Sequence, residues 1–85
     1  MPIRRGEGFR EQFRALPPEI RRKAKRQMNH MAANPFHPSA HLKRIQTTAD
    51  WWEARVDRNY RFGLKQIDGV WTFLVVGDHT AVLGD

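Results

Sequence analysis

Between Ile67 and Val70 stands Asp68-Gly69, the dipeptide that most readily takes the positive φ angles of a two-residue type I′ hairpin turn. No other short stretch restricts this chain so strongly, because a two-residue turn fixes which residues face each other on the strands either side. Ile67 then opposes Val70, Lys65 opposes Thr72, Leu64 opposes Phe73 and Phe62 opposes Val75. Side chains alternate between the faces of a strand. Tyr60, Phe62, Leu64, Trp71, Phe73 and Val75 therefore share one apolar face, and Arg61 and Lys65 share the other.

The same reasoning extends one strand back. Trp52, Ala54 and Val56 alternate with Glu53, Arg55 and Asp57, the period-2 pattern of a half-buried strand. A two-residue loop before Tyr60 would set Arg55 against Phe62 and mix the faces. A three-residue loop of Asp57, Arg58 and Asn59 avoids this, and Asn tolerates the left-handed conformation such a loop needs. Val56 then opposes Tyr60, Ala54 opposes Phe62, and Arg55 lies directly across from Arg61. The expectation is an antiparallel meander over residues 51–83 with arginines gathered on one face. Like charges facing each other repel, and Glu53, diagonal to Arg61 and Lys65 on the same face, is the available compensator. Two readings stay open: a solvated Arg–Glu–Lys network, or an anion site in which two guanidinium forks match the oxygens of a phosphodiester.

The N-terminal half has a different period. Phe9, Phe13 and Leu16 line one face of a short helix that Pro17-Pro18 stops. Pro18 and Glu19 suit the first turn of a second helix. Its apolar stripe runs Ile20, Ala24, Met28, Met31, before Asn34-Pro35 ends it. The opposite face carries Arg21, Arg22, Lys23, Lys25 and Arg26, either a solvated face or an electrostatic footprint for nucleic acid or an acidic partner. Residues 41–45 suit a short strand and residues 46–50 a polar loop. Trp52 and Trp71 fall on the core side by register, whereas the place of Trp51 stays open. His37 and His41 have helical ligand spacing, but Pro38 interrupts the helix and no carboxylate cluster accompanies them. Structural roles are expected for them rather than metal ligation. His79 suits a structural or a catalytic role equally.

Composition bounds the remainder. At 85 residues the chain is expected to form one domain, spanning 1–85. It has no cysteine, so neither a disulfide framework nor a thiolate metal site can staple it, and stability falls to packing and partners. No apolar run approaches the ~20 residues of a membrane span, and residues 1–14 lack the apolar core of a signal peptide. A cytoplasmic location follows as the expectation. Fifteen Lys+Arg against nine Asp+Glu give a formal charge of +6, a field that attracts polyanions or acidic proteins.

Several of these pieces occur in a telling order. A helical hairpin headed Phe9-x-x-x-Phe13-x-x-Leu16-Pro17 precedes Asn34-Pro35-Phe36-His37-Pro38-Ser39-x-His41-Leu42-Lys43-Arg44-Ile45. Then come Trp52-x-Ala54-Arg55-Val56, Tyr60-Arg61-Phe62, the Asp-Gly hairpin and Val75-Val76-Gly77-Asp78-His79-x-x-Val82-Leu83. From about Phe9 to Leu83 the chain resembles the RelE/ParE superfamily of toxins from bacterial toxin–antitoxin systems. The resemblance implies an α+β fold, a helical hairpin packed on a twisted antiparallel β-sheet, with function on the open face of the sheet. It implies a metal-independent, cofactor-free endoribonuclease that cuts messenger RNA at the ribosome and inhibits translation. ParE-like members act instead on DNA gyrase without chemistry of their own, and a degenerate member would serve only as an interaction module. An acidic antitoxin protein is the implied partner in each case.

Carried over by position, Arg55 and Arg61 would stabilise a phosphorane, His79 would be the acid and Glu53 a base. Lys65, Lys43, Arg44 and Arg58 would bind RNA or another anion. The chain departs from the pattern at Leu83, where several relatives carry a tyrosine. It departs again at Met1-Pro2-Ile3, which can supply at most a stub of the family's first strand and would leave a sheet edge for a partner.

Overall fold

Both central residues of the Asp68-Gly69 turn have positive φ, 53° and 76°, so the type I′ hairpin forms and holds Ile67 against Val70, Lys65 against Thr72 and Leu64 against Phe73. These facts come from a computed structural model that describes residues 3–45 and 50–83. The elements are β1 (Ile3–Arg5), α1 (Glu7–Ala15), α2 (Pro18–Ala33), a 3₁₀ turn (Pro38–Ala40), β2 (Lys43–Arg44), β3 (Trp52–Arg55), β4 (Tyr60–Ile67), β5 (Val70–Asp78) and α3 (His79–Leu83). Among the described residues the sheet has the order β1-β5-β4-β3-β2. The strands β2 to β5 pair antiparallel, and β1 joins the edge of β5 in parallel. The sheet is therefore mixed. Its β1 is Ile3–Arg5, which shares only Ile3 with the stub expected at residues 1–3; Met1 and Pro2 lie outside the described residues.

One register differs from expectation. Past Gly63 the ladder shifts, so that Gly63 faces Val75 and Phe62 faces Val76, not Val75. Leu74 is the extra residue of a β-bulge, and a single inserted residue exchanges the faces of everything beyond it. Val76 thereby enters the core, 4% exposed, while Val75 moves to the open face beside Gly63. The meander also stops at Asp78 rather than running to residue 83. Its partner β4 begins at Tyr60, which faces Asp78. Once His79 N–H has donated to the carbonyl of Asn59 (2.8 Å), no further strand remains to pair, and the chain turns into α3.

The helices obey their sequence signals. Phe9 is buried on α1, and Ala24, Met28 and Met31 on α2. Pro18 sits in the first turn of α2, where its missing N–H costs nothing. The guanidinium of Arg21 reaches the carbonyls of Arg14 and Leu16, satisfying acceptors at the end of α1. Phe9 packs against Phe62 and Phe73 at 6.0 and 5.6 Å between ring centres, and those two meet edge-on at 4.9 Å. Trp52 and Trp71 form a second aromatic group, edge-on at 5.1 Å and covered by Phe36. The core side assigned to them by register is the side they occupy. The expected strand over residues 41–45 shrinks to Lys43–Arg44, because His41 ends the 3₁₀ turn in the left-handed conformation (φ 47°). Residues 46–49 of the expected polar loop lie outside the described residues. Among the described residues no helix is long and apolar enough to cross a membrane.

Candidate anion site on the open face

The turn before β4 is built by Asp57. Its Oδ1 accepts from the N–H of Asn59 and of Tyr60, each at 2.9 Å, and Val56 N–H reaches the Tyr60 carbonyl at 3.0 Å. The side chain thus closes the three-residue loop that the alternation requires, and it does so without the left-handed Asn59 expected there, since Asn59 has no positive φ. Burial alone would raise the Asp57 carboxyl, but the two backbone N–H donors and the nearby Lys23 ammonium outweigh it and hold the group below its ordinary value. Lys23 Nζ stands 3.5 Å from Asp57 Oδ2, so the cationic face of α2 reaches down to this loop.

With that loop closed, Arg55 faces Arg61 and Arg61 faces Gly77. The two arginines are held differently. Arg61 is half-buried, and its Nη1 donates to the backbone carbonyls of Asp57, Arg58 and Tyr60. Three carbonyl dipoles gathered on one guanidinium offset part of its charge and fix its direction. Arg55 is exposed, and its guanidinium bonds to no described residue. Its backbone is anchored: buried Gln27 of α2 donates to the Arg55 carbonyl at 2.8 Å and to the Ser39 carbonyl at 2.9 Å, and accepts from the Ser39 hydroxyl at 3.0 Å. One polar side chain on the apolar stripe of α2 therefore ties helix, 3₁₀ turn and β3 together.

The next row on this face is Lys43, Glu53, Gly63 and Val75. Glu53 is only 6% exposed. It pairs with Lys43 (3.2 Å), not with Arg61 or Lys65 as the sequence suggested. Its Oε2 is buried and accepts no hydrogen bond from any described residue. Trp51, left open by the sequence, lies over Gly63, with Lys65 Nζ 4.9 Å from the centre of its ring.

The structure gathers Arg55, Arg61, Glu53, Lys43 and Lys65 on one face, with Arg58 exposed in the adjoining loop. The exposed His79 begins α3 at the same corner, its backbone tied to Asn59. Arg44 is not gathered there. It pairs with Trp52 and so belongs to the other face, 3.8 Å from Asp50. His37 stacks on His30 at 4.5 Å and accepts from Ser39 N–H, a structural arrangement. The sequence reading missed Gln27, although a glutamine between Ala24 and Met28 on an apolar stripe was the available signal. On the helical side, two open depressions share Phe13; Arg5, Arg10 and Arg14 line one, and Arg21, Arg22 and Lys25 the other.

No family model matches the sequence, and no curated protein matches it. Solved structures do share its fold. The chain is similar to a protein of the RelB–RelE antitoxin–toxin complex from Methanococcus jannaschii, with TM-score 0.76, 17% identity and 96% of each chain covered. It is similar to YafQ from Escherichia coli, with TM-score 0.76, 18% identity and 98% of each chain covered. A YoeB/ParE toxin from Agrobacterium tumefaciens aligns with TM-score 0.73 and 13% identity, over 93% of this chain and 99% of that one. The fold is that of the RelE-like toxins.

Proposed function

We propose that this chain, which has the RelE-like toxin fold, is the toxin of a toxin–antitoxin pair and acts as a ribosome-dependent messenger-RNA endoribonuclease that inhibits translation. The observation that carries the reading is the Arg55–Arg61 pair, one guanidinium pre-aimed by three carbonyls and the other exposed and bonded to no described residue, on the sheet face away from the helices. Two guanidiniums that face each other across paired strands repel, a small cost that a bridging anion removes.

In this reading a phosphodiester lies between the arginines. Glu53 removes the proton of the ribose 2′-hydroxyl, whose oxygen attacks the adjacent phosphorus. Arg55 and Arg61 stabilise the added charge of the phosphorane. The bond from phosphorus to the 5′-oxygen then breaks as His79 protonates that oxygen, leaving a 2′,3′-cyclic phosphate and a 5′-hydroxyl. Lys65 and Arg58 hold flanking phosphates, and Lys43 holds the Glu53 carboxylate in place through their ion pair.

The partner is an acidic antitoxin. M. jannaschii RelE and E. coli YafQ were each solved with an antitoxin, and the cationic depressions around Phe13 suit an acidic segment carrying an apolar anchor. The test is expression in bacteria with two readouts, messenger-RNA cleavage at ribosomes and gyrase supercoiling. Ribosomal cleavage that disappears in Arg61→Ala and in His79→Ala is the expected result. Cleavage that survives both removes the site, and supercoiling inhibition without cleavage moves the protein to the gyrase-directed class.

A further inference from the structure

We infer that Trp51 is the base-stacking platform of the open face, seating the base of the nucleotide whose 2′-hydroxyl approaches Glu53, and so makes single-stranded RNA the ligand of this face. The inference rests on the nuclease reading for the role of Glu53, but the platform itself rests on separate observations.

The other two tryptophans are spent on packing: Trp52 and Trp71 meet edge-on beneath Phe36. Trp51 is a half-buried aromatic ring on the face that carries Arg55, Arg61, Lys65, Glu53 and Lys43. Three local features seat it there. Gly63 leaves room, since a Cβ at that position would come within 3.3 Å of both the indole Cζ3 and the Val75 Cβ. Val75 lies on this face only because the Leu74 bulge put it there. Lys65 stands over the ring at 4.9 Å, a cation–π contact that an incoming base can replace while the ammonium moves to a phosphate. A glycine, a bulge and a lysine therefore combine to seat one ring over the strands. Stacking on such a ring binds any base, because every base has a π-face.

The neighbouring row supplies the second observation. Glu53 faces Gly63, so the indole lies beside the strand position that carries the buried Oε2, which accepts from no described residue. A buried carboxylate oxygen with no donor costs stability, and a ribose hydroxyl supplies such a donor. Trp51, Glu53 and Arg55 follow one another at alternate positions. At about 3.3 Å per residue the three span roughly 13 Å of strand, and the lean of the indole towards Gly63 shortens that span. Base, sugar hydroxyl and phosphate of one nucleotide occur in the same order.

The test is a titration of the chain into a short single-stranded RNA carrying 2-aminopurine, whose emission falls when the base stacks. Wild type and Trp51→Phe are expected to quench the probe. Trp51→Ala is expected to bind about tenfold to a hundredfold more weakly. Gly63→Ala keeps the indole but displaces it, and is expected to weaken quenching as well. Thermal melting of each variant separates loss of stacking from loss of fold. Absence of quenching by the wild type, or equal binding by Trp51→Ala, overturns the platform. On ribosomes Trp51→Ala is expected to raise KM more than it lowers kcat. Messenger-RNA cleavage with a KM indifferent to Trp51 removes the platform and keeps the nuclease. Quenching that depends on Trp51 without any cleavage removes the nuclease and keeps the platform.

Discussion

The two faces of β4 belong to one eight-residue strand and follow opposite rules. Towards the helices, Phe62 and Leu64 are fully buried and interlock with Phe9 and Phe73. Towards the open side, Arg61, Gly63 and Lys65 leave charge, a gap and a cation over a ring. Side chains one position apart thus belong to the part of the molecule that holds it together or to the open face proposed to meet a ligand. Substitutions that alternate along this strand should alternate in effect.

The largest effect is expected on the packed face. Phe62→Ala removes a ring in contact with two others, a loss of about 3–5 kcal/mol. Each kcal/mol lowers the melting temperature by about 4–8 °C in a domain of this size, so circular dichroism should show a fall of roughly 12 °C or more. A smaller fall than that of a surface substitution would mean that the helices do not pack on this strand as described.

Next is Gln27, which joins the two faces. Gln27→Leu keeps the volume but leaves the carbonyls of Arg55 and Ser39 without their donor, at a cost of about 2–3 kcal/mol. Because one of those carbonyls belongs to Arg55, anion affinity should also fall, although Gln27 lies beneath the sheet. Affinity unchanged in a destabilised variant would show that the loop alone positions Arg55.

Much of this was legible in the sequence, for a physical reason: alternation and turn chemistry are local. The Asp68-Gly69 turn set the register near itself, and excluding mixed faces was enough to require a three-residue loop and to place Arg55 against Arg61. What the sequence hid depends on tertiary geometry. The bulge at Leu74 has no strong local signal, since Leu74, Val75 and Val76 are interchangeable in strand preference. The seat of Trp51 could be read only once that bulge had brought Val75 to Gly63. Glu53 was given the right face and the wrong partner, because Lys43 arrives from an edge strand only two residues long.

The loop that closes the pair should respond to pH. The Asp57 carboxyl lies below its ordinary value in the folded chain, so its contribution is complete above the unfolded value of about 3.9 and is lost as pH falls through the lower folded value. Asp57→Asn keeps an oxygen acceptor for Asn59 and Tyr60 but loses the charge and the Lys23 ion pair. The variant should be less stable than wild type by about 1 kcal/mol at neutral pH, with the gap narrowing below pH ~4. Melting curves across that range check it, and a gap independent of pH would leave the carboxylate's charge without a role.

The smallest stability effect is expected at Arg55, where the contrast between the faces is sharpest. Its guanidinium is exposed and bonds to no described residue, and it faces a like charge. Arg55→Ala should therefore change stability by less than about 0.5 kcal/mol, with relief of repulsion favouring a slight gain. Arg61→Ala should cost more, since it removes the donor that three loop carbonyls share. In RNA binding the order should even out: each variant loses one phosphate contact and reduces the slope of log affinity against log salt by about 1. Arg55→Lys should restore the slope but only part of the affinity, because an ammonium cannot offer a two-pronged grip. If Arg55→Ala instead destabilised the chain as much as Arg61→Ala and left the slope unchanged, both arginines would belong to the scaffold, and the open face would carry no anion between them.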